Sequence, residues 1–134
     1  VFAHMRAITP TAVYLALATG FHGMGLIAVN NLRDIPTDIR AGKKTLSVRM
    51  GDKASRAYCA VLAFLPYFFW WPLAKGIPSP LAFLPFFSLP LAILNCVSCF
   101  RITDRRDFNS LLARTAGLQL LFGLLASAAL VISK

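Results

Sequence analysis

The sequence predicts an all-α membrane protein, a polytopic bundle of four transmembrane helices, and three observations support this class. Of the 134 residues, 57% are hydrophobic and only 14% are charged. The apolar residues form four runs of roughly twenty, the length that crosses about 30 Å of hydrocarbon. Short polar segments separate these runs, and runs and connections together use almost the whole chain. We therefore expect residues 1–134 to belong to one membrane-embedded domain.

Each span is bounded by recognisable residues. The second should end where Pro72 and Gly76 interrupt the helix, after an aromatic group typical of a membrane interface, Tyr67, Trp70 and Trp71. Prolines within the third should kink it. The four spans are expected near Thr11–Val29, Ala54–Ala74, Leu81–Phe100 and Leu111–Ile132.

Charge predicts the orientation. If the segment 30–56 is cytoplasmic, eleven basic residues lie on that side and three, Arg6, Lys75 and Lys134, lie on the other. This asymmetry follows the positive-inside rule. The basic residues sit at helix ends rather than on a solvated domain face, which favours lipid headgroups or an anionic ligand and argues against nucleic acid. We expect a membrane protein in contact with the lipid bilayer.

The chain begins with Val, and its first ten residues resemble the end of a loop rather than a signal peptide. We therefore expect a fragment of a longer protein. Because a four-helix bundle has little interior for a large ligand, a site would need helices that precede this chain.

The polar stretch NNLRDIPTDIRAGKKTLSVRMG, residues 30–51 of a motif loop that extends to residue 53, lies between the first two spans. Asn30, Asp34 and Asp38 recur at every fourth position, so a continuing helix would place them on one stripe with Asn31 beside it. Magnesium prefers such oxygen ligands and is often shared between one or two carboxylates and a substrate phosphate. Two close carboxylates would otherwise repel each other.

Basic residues accompany this stripe and would suit the oxygens of a diphosphate. They are Arg33, Lys43, Lys44 and Arg49. A simpler interpretation is a wetted helix end whose acids pair with the neighbouring cations and whose lysines contact anionic lipid. The spacing alone does not separate the two.

Pro36 lies between the two aspartates and removes a helical hydrogen bond. The stripe is therefore expected to be kinked or broken. One solution ends the span near Ile35 and starts a short second helix at Pro36 that stops at Gly42, with Asp38 in its first turn. Both carboxylates would still converge.

The same stretch resembles the second aspartate-rich motif of the UbiA superfamily of intramembrane prenyltransferases. The order of paired Asn, Arg-Asp, second Asp, Ala-Gly-Lys and Thr-Leu is most similar to the branch that makes menaquinone, 1,4-dihydroxy-2-naphthoate polyprenyltransferase. The resemblance implies a nine-helix bundle, of which these spans would be the last four. It also implies a first aspartate-rich motif, which this chain does not contain, so that the chain alone would be inactive.

The resemblance further implies the chemistry. A polyprenyl diphosphate would lose diphosphate with the help of Mg²⁺, and an aromatic acid acceptor would capture the allylic carbocation. The naphthoate would lose its ring carboxylate as carbon dioxide on the way to demethylmenaquinone. A bacterial plasma membrane location is implied as well. Asp34 and Asp38 are then the catalytic metal ligands, and Asn30, Asn31, Arg33 and Lys43 contact the diphosphate. Arg33 stands where the wider family often has Lys, and Pro36 is a local departure.

Three further residues are possible substrate contacts. Arg114 lies in the first turn of the last span, His22 midway along the first and Gln119 within the last. Ionisable groups at membrane depth are functional hypotheses by default. The alternative for His22 and Gln119 is an interhelical hydrogen bond. The loop RITDRRDFN, residues 101–109, either binds the acidic substrate through Arg105 and Arg106 or only sets topology.

Two other functions remain open. The same fold would serve another aromatic acceptor, such as 4-hydroxybenzoate or homogentisate. A non-catalytic membrane subunit would instead use the basic loop to bind a partner or lipid.

Overall fold

The computed structural model describes residues 9–132 and contains helices but no β-strand within that range. The elements in order are α1 (Pro10–Arg33), α2 (Ile35–Arg40), α3 (Leu46–Gly76), a 3₁₀ segment (Pro80–Ser88), α4 (Leu89–Arg101), a 3₁₀ turn (Arg105–Asp107) and α5 (Phe108–Ile132). Four runs are long and apolar enough to cross a membrane: Pro10–Arg33, Leu46–Gly76, Pro80–Arg101 and Arg105–Ile132. The predicted all-α class with four spans is confirmed.

The two helices that flank the motif loop begin at threonine caps. Thr9 Oγ1 accepts a hydrogen bond from the Ala12 amide at 3.2 Å, and Thr45 Oγ1 accepts one from Val48 at 3.3 Å. These bonds satisfy amides that a helix start leaves without partners. Gly51, with φ of 78°, then interrupts α3 after little more than one turn. The cap at Thr45 therefore fixes the point where the motif loop passes into α3.

The third span changes helix type where its prolines lie. Residues Pro80–Ser88, which include Pro85, form a 3₁₀ helix, and α4 starts at Leu89 with Pro90 in its first turn. A proline has no amide hydrogen and cannot continue the α-helical bonding pattern. The Ser88 hydroxyl donates to the Pro85 carbonyl at 2.7 Å, which satisfies one of the local acceptors. The predicted proline kink takes this form.

The helices pack around two clusters of buried side chains. Around Trp70 and Phe122, α1, α3 and α5 meet the 3₁₀ segment, and the two rings are edge-to-face with centroids 5.8 Å apart. Around Leu32 and Phe108, the ends of the helices near the motif loop converge. We call this second region the motif end of the bundle.

The aromatic interface predicted at the far end of α3 is only partly present. Tyr67 and Trp70 are 5% and 0% exposed, whereas Trp71 is 48% exposed. The buried pair finds polar partners inside the protein, because the Tyr67 hydroxyl is 2.7 Å from Ser88 Oγ and Trp70 Nε1 donates to the Ala82 carbonyl at 2.8 Å. These two rings therefore belong to the core, and the interpretation as a membrane belt is wrong for them.

Candidate functional site

The chain breaks between α1 and α2 at Asp34, yet it keeps a nearly helical course through the break. The Asp34 amide donates to the Asn30 carbonyl at 3.1 Å, and the Asp38 amide donates to the Asp34 carbonyl at 2.8 Å. Asp34 itself has φ −89° and ψ 3°. Asn30, Asp34 and Asp38 therefore remain one turn apart in spite of Pro36. The predicted short helix exists, and Asp38 lies in its first turn.

The end of α2 fixes the position of Lys43 relative to Asp38. Gly42 has φ of 71°, the Gly42 amide donates to the Ile39 carbonyl at 3.1 Å, and the Lys43 amide donates to the Asp38 carbonyl at 2.9 Å. This bonding pattern is a Schellman motif, in which glycine takes the left-handed conformation without steric cost. It returns the chain to Asp38, whose carboxylate lies 3.2 Å from Lys43 Nζ. The Asp38 side chain is only 7% exposed.

Arg33 holds the other carboxylate. Its Nε and Nη2 donate to the two carboxylate oxygens of Asp34 at 2.8 and 2.9 Å. Asn30 Nδ2 donates to the same carboxylate at 3.3 Å, and Asn30 Oδ1 accepts from Arg33 Nη2 at 2.9 Å. The guanidinium of Arg33 lowers the pKa of Asp34 from its ordinary value, chiefly through its hydrogen bonds. Asp34 is therefore ionised at neutral pH.

Asn109 completes this cluster from the start of α5. Arg33 Nη1 donates to Asn109 Oδ1 at 2.9 Å, across 76 positions of sequence. Asn30 and Asn109 also border an open, largely apolar groove of about 530 Å³ between α1 and α5, lined further by Leu26, Ile27, Leu112, Ala113 and Ala116. Asn109 was not singled out from sequence, because nothing in its local pattern indicates a contact with Arg33.

Asn31 points elsewhere. It lines a separate groove between α1 and α3, together with Leu46, Ser47 and Tyr58. Adjacent helical residues project about 100° apart. The structure thus groups Asn30 with Arg33 and Asp34, and Lys43 with Asp38, while Asn31 lies outside both groups.

The donor set fits a hard cation in part. The stripe offers two carboxylates and one amide oxygen, the ligand types that Mg²⁺ prefers when a phosphate completes its shell. Within residues 9–132, no three His, Cys, Asp or Glu side chains are grouped closely enough to hold a metal by themselves. Any ion would therefore use the aspartates together with ligands from substrate, solvent or another part of the protein.

The motif end contains a second charged cluster, which the sequence patterns did not predict. Asp52 accepts hydrogen bonds from both Arg56 and Arg105. The guanidinium carbons of these arginines lie 5.2 and 5.6 Å from the ring centroid of Phe108, which is fully buried. Arg56 also donates to the Cys99 carbonyl, and Arg105 to the Leu32 carbonyl at 2.7 Å. This cluster joins the ends of α1, α3, α4 and α5.

The remaining candidates lie away from the aspartates. Arg114 is exposed and borders a groove between α4 and α5 that also contains Arg101 and Asp107. His22 is 3% exposed, and its ring centroid lies 4.6 Å from that of Phe122. Gln119 is half-buried on α5, ten positions beyond Asn109. The structure does not bring these three side chains together with the motif.

Comparison with known proteins settles the family. The sequence profile described as the UbiA prenyltransferase family matches residues 1–121. The chain belongs to the UbiA prenyltransferase family. Residues 30–51, the paired carboxylates and the four apolar helices all lie within the matched region or overlap it. The resemblance predicted from the motif is confirmed at this level.

Individual relatives include proteins of two names. UbiA prenyltransferase domain-containing protein 1 of Gallus gallus is 37% identical over 113 residues, which is 84% of this chain and 31% of that protein. The 1,4-dihydroxy-2-naphthoate octaprenyltransferase of Haemophilus influenzae is 29% identical over 123 residues, 87% of this chain and 38% of the relative. The protein of that name from Mycobacterium tuberculosis is 56% identical over 41 residues, 31% of this chain and 14% of the relative.

This UbiA-family chain thus spans about a third of the length of the curated relatives that it matches along most of its own length. No solved structure matches it significantly.

Proposed function

We propose that this chain is the C-terminal part of a membrane prenyltransferase, its spans being the last four of a nine-helix bundle. The whole enzyme would transfer a polyprenyl group from polyprenyl diphosphate to an aromatic acid acceptor in a Mg²⁺-dependent reaction. The observation that carries this proposal is the pairing of two carboxylates with two cations at the mouth of an apolar bundle. Arg33 pairs with Asp34, and Lys43 with Asp38.

The two ion pairs would allow an exchange of partners, in which Mg²⁺ replaces the basic side chains at the carboxylates. Bound Mg²⁺ would supply positive charge that stabilises the departing diphosphate. Asp34 and Asp38, with Asn30 beside them, would provide its protein oxygens. Arg33 and Lys43, released from the carboxylates, would bind diphosphate oxygens instead. Guanidinium and ammonium groups both form strong, charge-assisted hydrogen bonds to phosphate oxygens.

The groove between α1 and α5 supports the same substrate class. The groove begins at Asn30 and Asn109 and continues along aliphatic side chains. Its volume is about 530 Å³. A polyprenyl chain is apolar, and its allylic carbocation must be kept from water. A groove that is polar at the motif and aliphatic beyond it has the polarity that such a substrate requires.

We propose 1,4-dihydroxy-2-naphthoate as the acceptor, which would lose its carboxylate as carbon dioxide and give the quinol form of demethylmenaquinone. Support comes from the printed names of the Mycobacterium tuberculosis and Haemophilus influenzae relatives. Purified full-length protein, given labelled polyprenyl diphosphate and either the naphthoate, 4-hydroxybenzoate or homogentisate, should label the naphthoate product fastest. Faster transfer to another ring would reassign the acceptor and leave the reaction class intact.

The central test is on the carboxylates. In the full-length protein, Asp34→Asn and Asp38→Asn preserve side-chain size and remove the charge. We expect each to lower prenyl transfer about 10²-fold or more, the scale for loss of one electrostatic stabiliser. Asp107→Asn, at an exposed acid on the other loop, is the matched control and should retain activity. Full turnover by both motif variants would refute the metal role.

We further propose a bacterial plasma membrane location, which the bacterial relatives support. The excess of basic residues at the motif end supports placing that end in the cytoplasm. Single cysteines placed at Lys44 and at Lys75 in a cysteine-free background should react with a membrane-impermeant maleimide from opposite sides.

Mg²⁺-dependent binding of a non-hydrolysable diphosphate analogue separates the enzyme from a non-catalytic lipid- or partner-binding subunit. A subunit of that kind would bind with salt dependence alone.

A further inference from the structure

The Leu32 carbonyl has lost its helical donor. In an α-helix, the carbonyl of residue 32 accepts from the amide of residue 36. Residue 36 is proline and has no amide hydrogen. The carbonyls of Asn30 and Asp34, by contrast, keep their partners four positions on. Leu32 is fully buried, so its oxygen cannot turn to solvent for a substitute.

Arg105 supplies the missing donor. Its Nη1 donates to the Leu32 carbonyl at 2.7 Å, across 73 positions of sequence. The bond is charge-assisted, and such bonds are shorter and stronger than those between neutral groups. A side chain from the loop between α4 and α5 therefore completes the backbone bonding of α1 at the point where the chain turns into α2.

Arg105 is itself held in place from other directions. Its Nη2 pairs with Asp52, and its guanidinium lies 5.6 Å from the centre of the buried Phe108 ring. Arg56 shares the same carboxylate and the same ring. A guanidinium with both ends bonded and one face against an aromatic ring has little freedom to leave the Leu32 carbonyl.

We propose that Arg105 is a positioning residue, which replaces the hydrogen bond that Pro36 removes and so fixes the angle between α1 and α2. That angle sets the separation of Asp34 at the break and Asp38 in the next turn. This inference rests on the proposed function for its catalytic consequence, because a site misplaced by about 1 Å loses much of its rate. The structural claim, that Arg105 fixes the angle between α1 and α2, depends only on the bond to the Leu32 carbonyl.

Restoring the amide at position 36 tests this directly. Four full-length proteins are compared: wild type, Arg105→Gln, Pro36→Ala and the double variant. Arg105→Gln should lower the thermal unfolding midpoint by several degrees and weaken Mg²⁺-dependent binding of a non-hydrolysable polyprenyl diphosphate analogue about tenfold, or about 1.4 kcal/mol. Pro36→Ala provides a backbone donor, so the double variant should recover the part of both losses that comes from the Leu32 carbonyl, while the part due to the Asp52 pair remains.

The neighbouring arginine is the matched control. Arg106 is exposed, and within residues 9–132 its side chain takes part in no ion pair. Arg106→Gln removes the same charge from the same loop and should change neither readout, since the assay contains no aromatic acid for Arg106 to bind. If Arg106→Gln weakens binding as much as Arg105→Gln does, loop charge rather than the Leu32 bond is responsible and the inference fails.

The two readouts separate the possible failures. If the wild type binds no analogue, the proposed function is wrong, while the thermal midpoints still decide the role of Arg105. If Arg105→Gln matches the wild type in both measurements, or if Pro36→Ala rescues neither, Arg105 does not act through Leu32. Should Arg105→Gln fail to accumulate, recovery of folded protein in the double variant supports the inference, and continued failure overturns it.

Discussion

Arg33 binds both carboxylate oxygens of Asp34, its neighbour in sequence, at 2.8 and 2.9 Å. The pair is joined to α5 by Asn109 and to the preceding turn by Asn30. One guanidinium thus neutralises a proposed metal ligand and connects it to a helix that begins 75 residues later. A metal ion that binds this carboxylate competes with the guanidinium for its oxygens.

Arg33→Gln should therefore have opposite effects on two ligands. We expect tighter binding of Mg²⁺ in the absence of substrate, because Asp34 no longer has a competing cation, and weaker binding of the diphosphate analogue. Isothermal titration of full-length protein with each ligand measures both. Arg40→Gln, at an exposed arginine of α2, controls for the loss of charge. A parallel loss of affinity for both ligands would contradict the competition.

Asn109→Ala removes the bond between α5 and Arg33. We expect a loss of about 1 kcal/mol in stability, because the bond is charge-assisted but partly exposed to solvent. Asn109→Asp should retain the acceptor and lose less. Thermal unfolding in detergent, followed by tryptophan fluorescence, gives the comparison. Ser110→Ala, one position on, removes only a bond local to the helix start, from the Ser110 hydroxyl to the Asp107 carbonyl at 2.7 Å, and gives the comparison.

Gly42→Ala should disturb the return of Lys43 to Asp38. With φ of 71°, an alanine at this position costs about 1–2 kcal/mol in the left-handed conformation. Diphosphate binding should fall as well, since Lys43 follows directly. Gly117→Ala lies in the middle of α5 with no other atom within 4 Å of an added Cβ, and it should be neutral or stabilising. Equal stability of the two variants would contradict the role given to the Schellman motif.

His22 and Asn95 face a small cavity of about 30 Å³ among α1, α3, α4 and α5, also lined by the three cysteines. His22 Nε2 and both side-chain polar atoms of Asn95 have no hydrogen-bond partner within residues 9–132. Replacing unpaired buried polar atoms by an apolar group of similar shape removes their desolvation cost. We therefore expect Asn95→Leu to match or exceed the wild type in thermal stability.

Asn95→Ala separates packing from polarity at the same position. It should lower the unfolding midpoint, because it enlarges the cavity and removes packing contacts. A midpoint for Asn95→Leu that is well below that of the wild type, and close to that of Asn95→Ala, would instead mean that the amide has a partner in the whole protein.

Local patterns predicted much of the motif. The break near Pro36, the short helix that follows and the end at Gly42 all follow from the backbone chemistry of proline and glycine. The long-range partners of Arg33 and Arg105 could not be predicted from local sequence patterns. Sequence spacing places Arg33 beside Asp34, but only the approach of α5 brings Asn109 to it. In the same way, Pro36 implies that Leu32 needs a donor, while the packing of a distant loop decides that Arg105 provides it.

The aromatic group on α3 illustrates the opposite error. Tyr67, Trp70 and Trp71 at the end of a span match both a membrane interface and a packed core, since each location accepts a ring with one polar atom. Hydrogen bonds to Ser88 and to the Ala82 carbonyl place the first two in the core. Composition cannot distinguish these cases, because the deciding partners come from the next helical segment.

The pairing of both motif carboxylates within the protein has a consequence for substrate encounter. With Asp34 and Asp38 already neutralised, the exposed Arg40, Lys44 and Arg49 contribute a positive potential around the mouth of the bundle. Such a field accelerates the diffusion of a polyanion toward its site and weakens as ionic strength rises. The association rate of a soluble pyrophosphate analogue should therefore decrease with added salt far more steeply than its dissociation rate changes.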